Sequence, residues 1–339
     1  MRVVVVGATG NIGTAVLRRL HAETAVTSIV GVARRRPDDS VGPYSGVEWQ
    51  PADVADEGAV QRLAEIFTGA DAVIHLAWAL QPNHDERALW RVNVSGTAAV
   101  LAAVTRAGVP RFATASSIGA YSSAPKGRRV DESWPTGGIH TSHYSRHKAM
   151  NERALDAFER RNPSVVVTRM RPGLVFQHDT ATEQTHLFLG RHIPTRWLAA
   201  VRPPILPLPP QFVFQAVHAD DLADAFCRAV VRGAGGAFNI AAEPVLTPEL
   251  VASVLGAGAT VPLRLRVLRL LMSVTWTLRL QASDPGWADL AAYCPVMDIH
   301  RARTELGWRP QHSSTDALAE VVHGASVRAR HAGSPPLDP

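Results

Sequence analysis

The chain is an α/β protein: a doubly wound parallel sheet with a smaller, mostly helical C-terminal lobe. Three observations predict this. Residues 2–6 (RVVVV) form a β-branched run without alternation, the pattern of a strand buried on both faces. Gly7, Gly10 and Gly13 follow at once and lead into the helical spacing of Val16, Leu17 and Leu20. Short apolar runs and helical stretches then alternate up to about Phe176.

The first unit, strand to glycine turn to helix, carries a specific chemistry. Gly7 permits the tight turn, Gly10 lets backbone approach a pyrophosphate, and Gly13 lets helix pack on strand. N–H groups at the helix start then face anionic phosphates. The stretch 7–13 (GATGNIG), with Thr9, Asn11 and Ile12 between its glycines, is therefore a candidate dinucleotide site. Residues 28–33 (SIVGVA) form the second strand, followed by Arg34, Arg35 and Arg36. An acid about 20 residues after such a motif binds ribose hydroxyls. Here that slot holds Ala33, and the Arg34 guanidinium suits a 2′-phosphate, so NADP is favoured over NAD.

A third short strand runs into a helix over 47–56, and Asp53 and Val54 sit where an adenine is read. The helix that follows carries Val60, Leu63, Ile66 and Phe67. The fourth strand, 72–77 (AVIHLA), ends in Leu76 and Ala77 under the cofactor position. Trp78 after it is either a packing aromatic or a pocket wall. A long helix over 89–107 holds Asn93 in its interior, as a satisfied core residue or part of a water relay. The fifth strand, 112–117, ends in Ser116 and Ser117. A loop over 119–135 precedes a helix over 142–161. The sixth strand, 165–170, leads into Arg171, Pro172 and Gly173.

Beyond Phe176 the alternation stops. Residues 177–210 are irregular and proline-rich, 212–218 extended, 220–231 helical and 237–241 a strand. This divides the chain into a dinucleotide domain (1–176, with 211–242 returning to it), a substrate lobe (177–210 and 243–330) and a disordered tail (331–339).

Composition narrows the class. With 46% hydrophobic and 19% charged residues among 339, the chain is globular. The formal charge is +5, but the arginines are scattered without a basic block, which argues against nucleic acid. Two distant cysteines and an opening directly on a strand point to a reduced, cytoplasmic protein. The apolar stretch 261–280 is interrupted by Arg264, Arg266, Arg269 and Arg279, so it is no membrane span. It is an interfacial amphipathic helix or, the preferred reading, a helix covering a pocket.

The catalytic signal is Tyr144 and Lys148, four apart and hence on one helix face. A nearby ammonium lowers the tyrosine pKa toward working pH, and Ser117 orients a substrate oxygen. Together they form a proton-transfer device beside a hydride carrier.

The chain resembles the extended short-chain dehydrogenases/reductases of the NAD-dependent epimerase/dehydratase type. The resemblance rests on GATGNIG (7–13), ADVAD (52–56), HLAW (75–78), NVSGT (93–97), SSIGAYS (116–122), YSRHK (144–148), RPGLVF (171–176), VHADDLADAF (217–226) and FNIA (238–241). It implies a Rossmann-type fold, Tyr144 as general acid/base with Lys148 as its partner, and Ser117 and Asn93 in the active site. It further implies adenine contacts from Asp53 and Val54, and cofactor contacts from Leu76, Ala77, Trp78, Ser116, Pro172, Gly173 and Val175. His218 and Asp221 take structural roles. A homodimer through the helices of Asn93 and Tyr144 is implied too. Two departures matter. Ile118-Gly119 stand where a sugar dehydratase of this family carries acids. Arg191, Arg196 and Arg202 sit among apolar residues of 187–206, which fits an apolar small-molecule substrate better than a sugar nucleotide. No HExxH or cysteine cluster supports a metal among His140, His143, His147, His178, His186 and His192. The reading is an NAD(P)-dependent oxidoreductase; the alternatives are an epimerase retaining its cofactor and a non-catalytic cofactor-binding protein.

Overall fold

The computed structural model describes residues 1–81, 84–182, 184–185, 203–331 and 333–334. Seven parallel strands form the central sheet: β1 (Arg2–Val6), β2 (Ser28–Ala33), β3 (Glu48–Pro51), β4 (Ala72–His75), β5 (Arg111–Ala115), β6 (Val166–Pro172) and β7 (Gly236–Ile240). Their order is β7-β6-β5-β4-β1-β2-β3. Alternate residues of β1 explain the layering. Val3 and Val5 enter one core with Leu17 and Leu20 of α1 (Asn11–His21) and Leu222 and Phe226 of α5 (Ala219–Arg232). Val4 and Val6 enter the other, with Leu63 and Phe67 of α2 (Ala59–Phe67), Val100 and Val104 of α3 (Gly96–Ala107), and Leu155 and Phe158 of α4 (His143–Arg161). The unbroken valine run is thus a strand with two buried faces. From β1 the chain runs out through β2 and β3, then returns across β1 to β4. That reversal opens a crevice beyond the carboxyl ends of β1 and β4.

Several boundaries differ from the sequence expectation. The long helix expected over 89–107 is composite: Glu86–Trp90 is helical, Arg91–Ser95 is a π turn, and α3 follows. There the Asn93 carbonyl is taken by Thr97 Oγ1 and, from α4, by Asn151 Nδ2, both at 2.8 Å. The run Glu86–Ala107 is long and apolar enough to cross a membrane, but its Val100, Leu101, Ala103 and Val104 belong to the second core. β3 ends early at Pro51, and the Asp53 carboxylate takes the Ala55 N–H at 2.9 Å, forming a turn before α2. β6 extends to Pro172, because that residue pairs with Ile240 at the sheet edge. Within the extended stretch expected over 212–218, only Ala216–His218 is a strand, paired with Leu174–Phe176.

Beyond the sheet, two helices matter to the site: α6 (Leu265–Thr277) and α7 (Gly286–Tyr293). Asp221 ties the late segment to the sheet. It accepts from the Gln311 and His312 amides at 2.8 and 3.0 Å, and its carbonyl accepts from Trp308 Nε1 at 2.8 Å. At the start of the expected tail, Gly333 accepts from the Asp38 amide at 3.0 Å and Ser334 Oγ donates to the Thr9 carbonyl at 3.1 Å.

Candidate active site

Gly7 stands at the reversal point with φ +85°, and a Cβ there would lie 2.6 Å from the Ala77 nitrogen. Its missing side chain therefore lets the ends of β1 and β4 meet. Gly13 has no room either, since a Cβ would strike the Gly7 carbonyl. Gly10 differs: a Cβ would meet only the Gly7 oxygen at 3.4 Å. The space above Gly10 is open, and α1 begins with no side-chain cap and no acid in its first turn. A cradle that any side chain would fill, under uncapped helical N–H groups, fits a pyrophosphate. Thr9, Gly10 and the backbone of Asn11 and Ile12 would hold it.

The Asn11 side chain is engaged within the protein. Its Oδ1 accepts from Gln177 Nε2 at 2.6 Å and Thr180 Oγ1 at 2.9 Å, and its Nδ2 donates to the Val175 carbonyl at 3.3 Å. It knits the glycine loop to the segment after β6. Pro172 is buried, and Gly173 lies against the Gln215 carbonyl, where a Cβ would clash. At the adenosine end, Arg34 is exposed and makes no hydrogen bond or ion pair among the described residues, whereas Arg36 pairs with Asp39 at 2.6 Å. Val54 is buried against Gly96, where a Cβ would lie 2.6 Å from Val54 Cγ2.

Ser117, Tyr144 and Lys148 converge at the ends of β4 and β5. Ser142 Oγ caps α4 by accepting from the Ser145 amide at 3.3 Å, which sets the face that carries Tyr144 and Lys148. The Tyr144 ring and Ser117 Oγ flank the same point at Gly119. Ser117 Oγ also accepts from the Gly119 amide at 3.0 Å. Lys148 Nζ donates to the Ala115 carbonyl at 2.8 Å and sits 3.4 Å from the centroid of Trp78. Trp78 meets Tyr144 edge-on at 5.5 Å, which makes it a wall of the site. Trp287 of α7 closes the other side at 5.0 Å, and Ile118, Ile139, Leu290 and Cys294 complete an apolar surround. Gly119 is needed here, because a Cβ would come within 2.9 Å of Tyr144 Cε1. An acidic side chain at that position has no room.

The electrostatics correct one expectation. Lys148 does not lower the Tyr144 pKa. Burial pushes the phenol up to about 12 against the opposing influence of Ser117. Burial also brings Lys148 down to about 7, against the pull of Glu152. The ammonium lies 5.8 Å from the Tyr144 centroid and is itself easily discharged, so it offers the phenolate little support.

Two further expected site residues have other work. Ser116 Oγ donates to Glu152 Oε1 at 2.5 Å and is buried, so it braces the site. Asn93 accepts from the Ala79 amide at 2.7 Å and donates to the Ala79 carbonyl at 2.8 Å. It is a positioning residue that fixes the loop after Trp78.

The sequence reading missed the buried cluster behind these groups. Glu152 accepts from Arg171 Nε and Nη2 at 2.9 and 2.8 Å and from Arg169 Nη1 at 3.0 Å. Arg171 Nη1 donates to Tyr121 Oη at 2.9 Å, and Tyr121 donates to Asn239 Oδ1 at 2.6 Å. Burial raises the Glu152 pKa, but the arginines and Ser116 outweigh it and hold the acid at about 2. Its one sequence signal was spacing: Glu152 follows Lys148 by one helical turn.

Of the histidines, His143 pairs with Asp284 at 3.0 Å and His178 with Asp179 at 2.9 Å. His147 is buried beside Trp90. His218, His312 and Glu320 bring ligand atoms within 4.8 Å of one another. There His218 Nδ1 accepts from the Asp220 amide at 3.2 Å. Its proton is therefore on Nε2, directed at Glu320 Oε2 3.0 Å away, in a helix cap and clasp. His186, His192, Arg191, Arg196, Arg202 and the apolar residues of 187–198 lie outside the described residues.

The fold agrees with that of the UDP-glucose 4-epimerase of Thermus thermophilus in complex with NAD. The two share 22% identity and a TM-score of 0.70, over 96% of this chain and 99% of that one. Among curated sequences, the uncharacterized protein Rv2047c of Mycobacterium tuberculosis is 26% identical over 97% of this chain. The chain spans 30% of that relative's length. L-arabinose 1-dehydrogenase (NAD(P)(+)) of Haloferax volcanii is 33% identical over 34% of this chain and 40% of its own. The pattern of the NAD dependent epimerase/dehydratase family matches residues 3–241. The chain belongs to the NAD-dependent epimerase/dehydratase family.

Proposed function

We propose that the protein is an NAD(P)-dependent oxidoreductase that moves a hydride between the nicotinamide and the carbonyl or alcohol carbon of an apolar small molecule. One observation carries this reading. The Tyr144 ring and the Ser117 hydroxyl come together at Gly119 inside a surround of Trp78, Trp287, Ile118 and Leu290, which offers a substrate oxygen two hydroxyls and its carbon skeleton an apolar wall. When bound, the dinucleotide supplies or accepts the hydride. In the reducing direction Tyr144 gives its proton to the substrate oxygen as the carbonyl π pair moves onto that atom. Ser117 donates a second hydrogen bond to the same oxygen. Lys148 spends one N–H on Ala115 and keeps two for ribose hydroxyls. A pKa near 7 lets it pass a proton inward at neutral pH. Arg34, without a hydrogen bond or ion pair among the described residues, supports a preference for NADP.

A second reading, an epimerase on a retained cofactor, is favoured by the fold shared with the Thermus epimerase. Denaturing the purified protein and identifying the released dinucleotide separates the two. Stoichiometric NAD supports the epimerase; NADP, or a site that exchanges NADPH freely, supports the oxidoreductase. Tyr144→Phe is expected to lower turnover about 10²–10⁴-fold while sparing dinucleotide affinity. Turnover that survives the change refutes the mechanism. Arg34→Ala is expected to weaken NADPH about tenfold with NADH unchanged; an equal effect on both removes Arg34 from selection.

A further inference from the structure

Helix α6 presents its apolar side to solvent. None of its residues is buried. Its inner side meets the rest of the protein through Trp276, stacked on His84 at 4.3 Å, and Arg269, paired with Asp289 at 3.1 Å. On the outer side Val267, Leu270, Leu271, Val274 and Leu278 recur at three and four residues, which makes one stripe. Leu270, Leu271 and Leu278 are 65%, 55% and 63% exposed. Ile205 and Val261, on the two-stranded ribbon that leads into α6, are exposed as well.

We propose that this face docks on an anionic lipid surface. Charge selects the occupant. Residues 250–283 contain Arg264, Arg266, Arg269 and Arg279 and no acid. Helical geometry places Arg264 and Arg266 on opposite flanks of the stripe, roughly 60–100° from its centre. Neither has a carboxylate partner among the described residues. An apolar stripe between two guanidinium groups matches acyl chains below phosphate headgroups. A second copy of the same face matches badly, because it would bring arginine against arginine with no acid in the patch. The net charge of +5 acts in the same direction.

The face adjoins the active site. Gln281 Nε2 donates to the Met272 carbonyl of α6 at 3.1 Å. Gln81 Nε2, in the loop fixed by Asn93, donates to the Ala282 carbonyl at 3.3 Å. Docked in this way, the protein would receive an apolar substrate from the lipid phase. That consequence rests on the apolar-substrate reading; the docking does not.

The test is flotation of the full chain with vesicles of phosphatidylcholine alone or with a third of the lipid as phosphatidylglycerol. The protein is expected to float with the anionic vesicles and to be released several-fold by high salt. Leu270→Ser with Leu271→Ser is expected to cut the bound fraction at least about tenfold. Arg264→Gln with Arg266→Gln is expected to cut it several-fold at low salt. Unchanged melting curves and unchanged turnover of a water-soluble ketone show that fold and reaction are intact in these variants. Failure to float with anionic vesicles overturns the proposal, as does equal flotation by wild type and the leucine variant. A concentration-dependent dimer that the leucine variant loses, without flotation, assigns the face to self-association and overturns it too.

Discussion

Two buried ionisable groups lie one turn apart on α4 and are treated in opposite ways. Glu152 is surrounded: Ser116, Arg169 and Arg171 satisfy both its oxygens, and its pKa is held near 2. Lys148 has one carbonyl and an indole face, and burial brings it to about 7. A charge that the protein fully compensates becomes scaffold, because disturbing it strands its partners. A charge left with spare donors is placed to receive a ligand's polar groups. The scaffold turn holds Ser116, next to Ser117, and so keeps the reactive turn in register.

The sharpest way to break this comparison is Glu152→Gln. It leaves Arg171 buried without its carboxylate, while Arg169 keeps Asp156 and Glu159, and a loss of about 3–5 kcal/mol is expected in urea unfolding. The sign with pH follows from the depressed folded pKa. The wild-type contribution is complete above the unfolded value of 4.5 and is lost as pH falls through about 2. The wild type should therefore show a steep acid limb that the Gln variant lacks. Equal acid limbs would remove Glu152 from the scaffold.

A smaller effect of opposite sign is expected for Lys148→Met. The folded pKa near 7 lies below the unfolded 10.5, so the cost of the buried ammonium is complete below pH 7 and vanishes as pH rises to 10.5. The Met variant should gain on the wild type by about 1–2 kcal/mol at pH 6, with the gain shrinking toward pH 10. Urea midpoints across that range check it, and a pH-independent difference would mean that Lys148 is compensated after all.

The residues differ in how openly they declared these roles. β1 was plain from four valines, because a strand buried on both faces leaves an unbroken apolar run. Ser117, Tyr144 and Lys148 were plain because a strand end and one helical turn suffice to bring them together. Asn11 and Ser116 were read as cofactor contacts, and Asn93 as a satisfied core residue or part of a water relay in the active site; their side chains are engaged by Gln177, Glu152 and Ala79. These partners lie 166, 36 and 14 residues away, beyond any local pattern. α6 was read for preference as a pocket cover. Its apolar spacing was visible, but which side the protein would cover was not.

By itself, then, the sequence determined the order of strands and helices, the glycine loop and the Ser-Tyr-Lys set. These depend on periodicity and on contacts within a few residues. Only the tertiary structure decided which polar groups are already spent, which way burial drives Tyr144 and Lys148, and that the stripe on α6 faces outward. Those outcomes depend on what long-range packing removes from water, and desolvation is a property of the folded neighbourhood rather than of any residue in it.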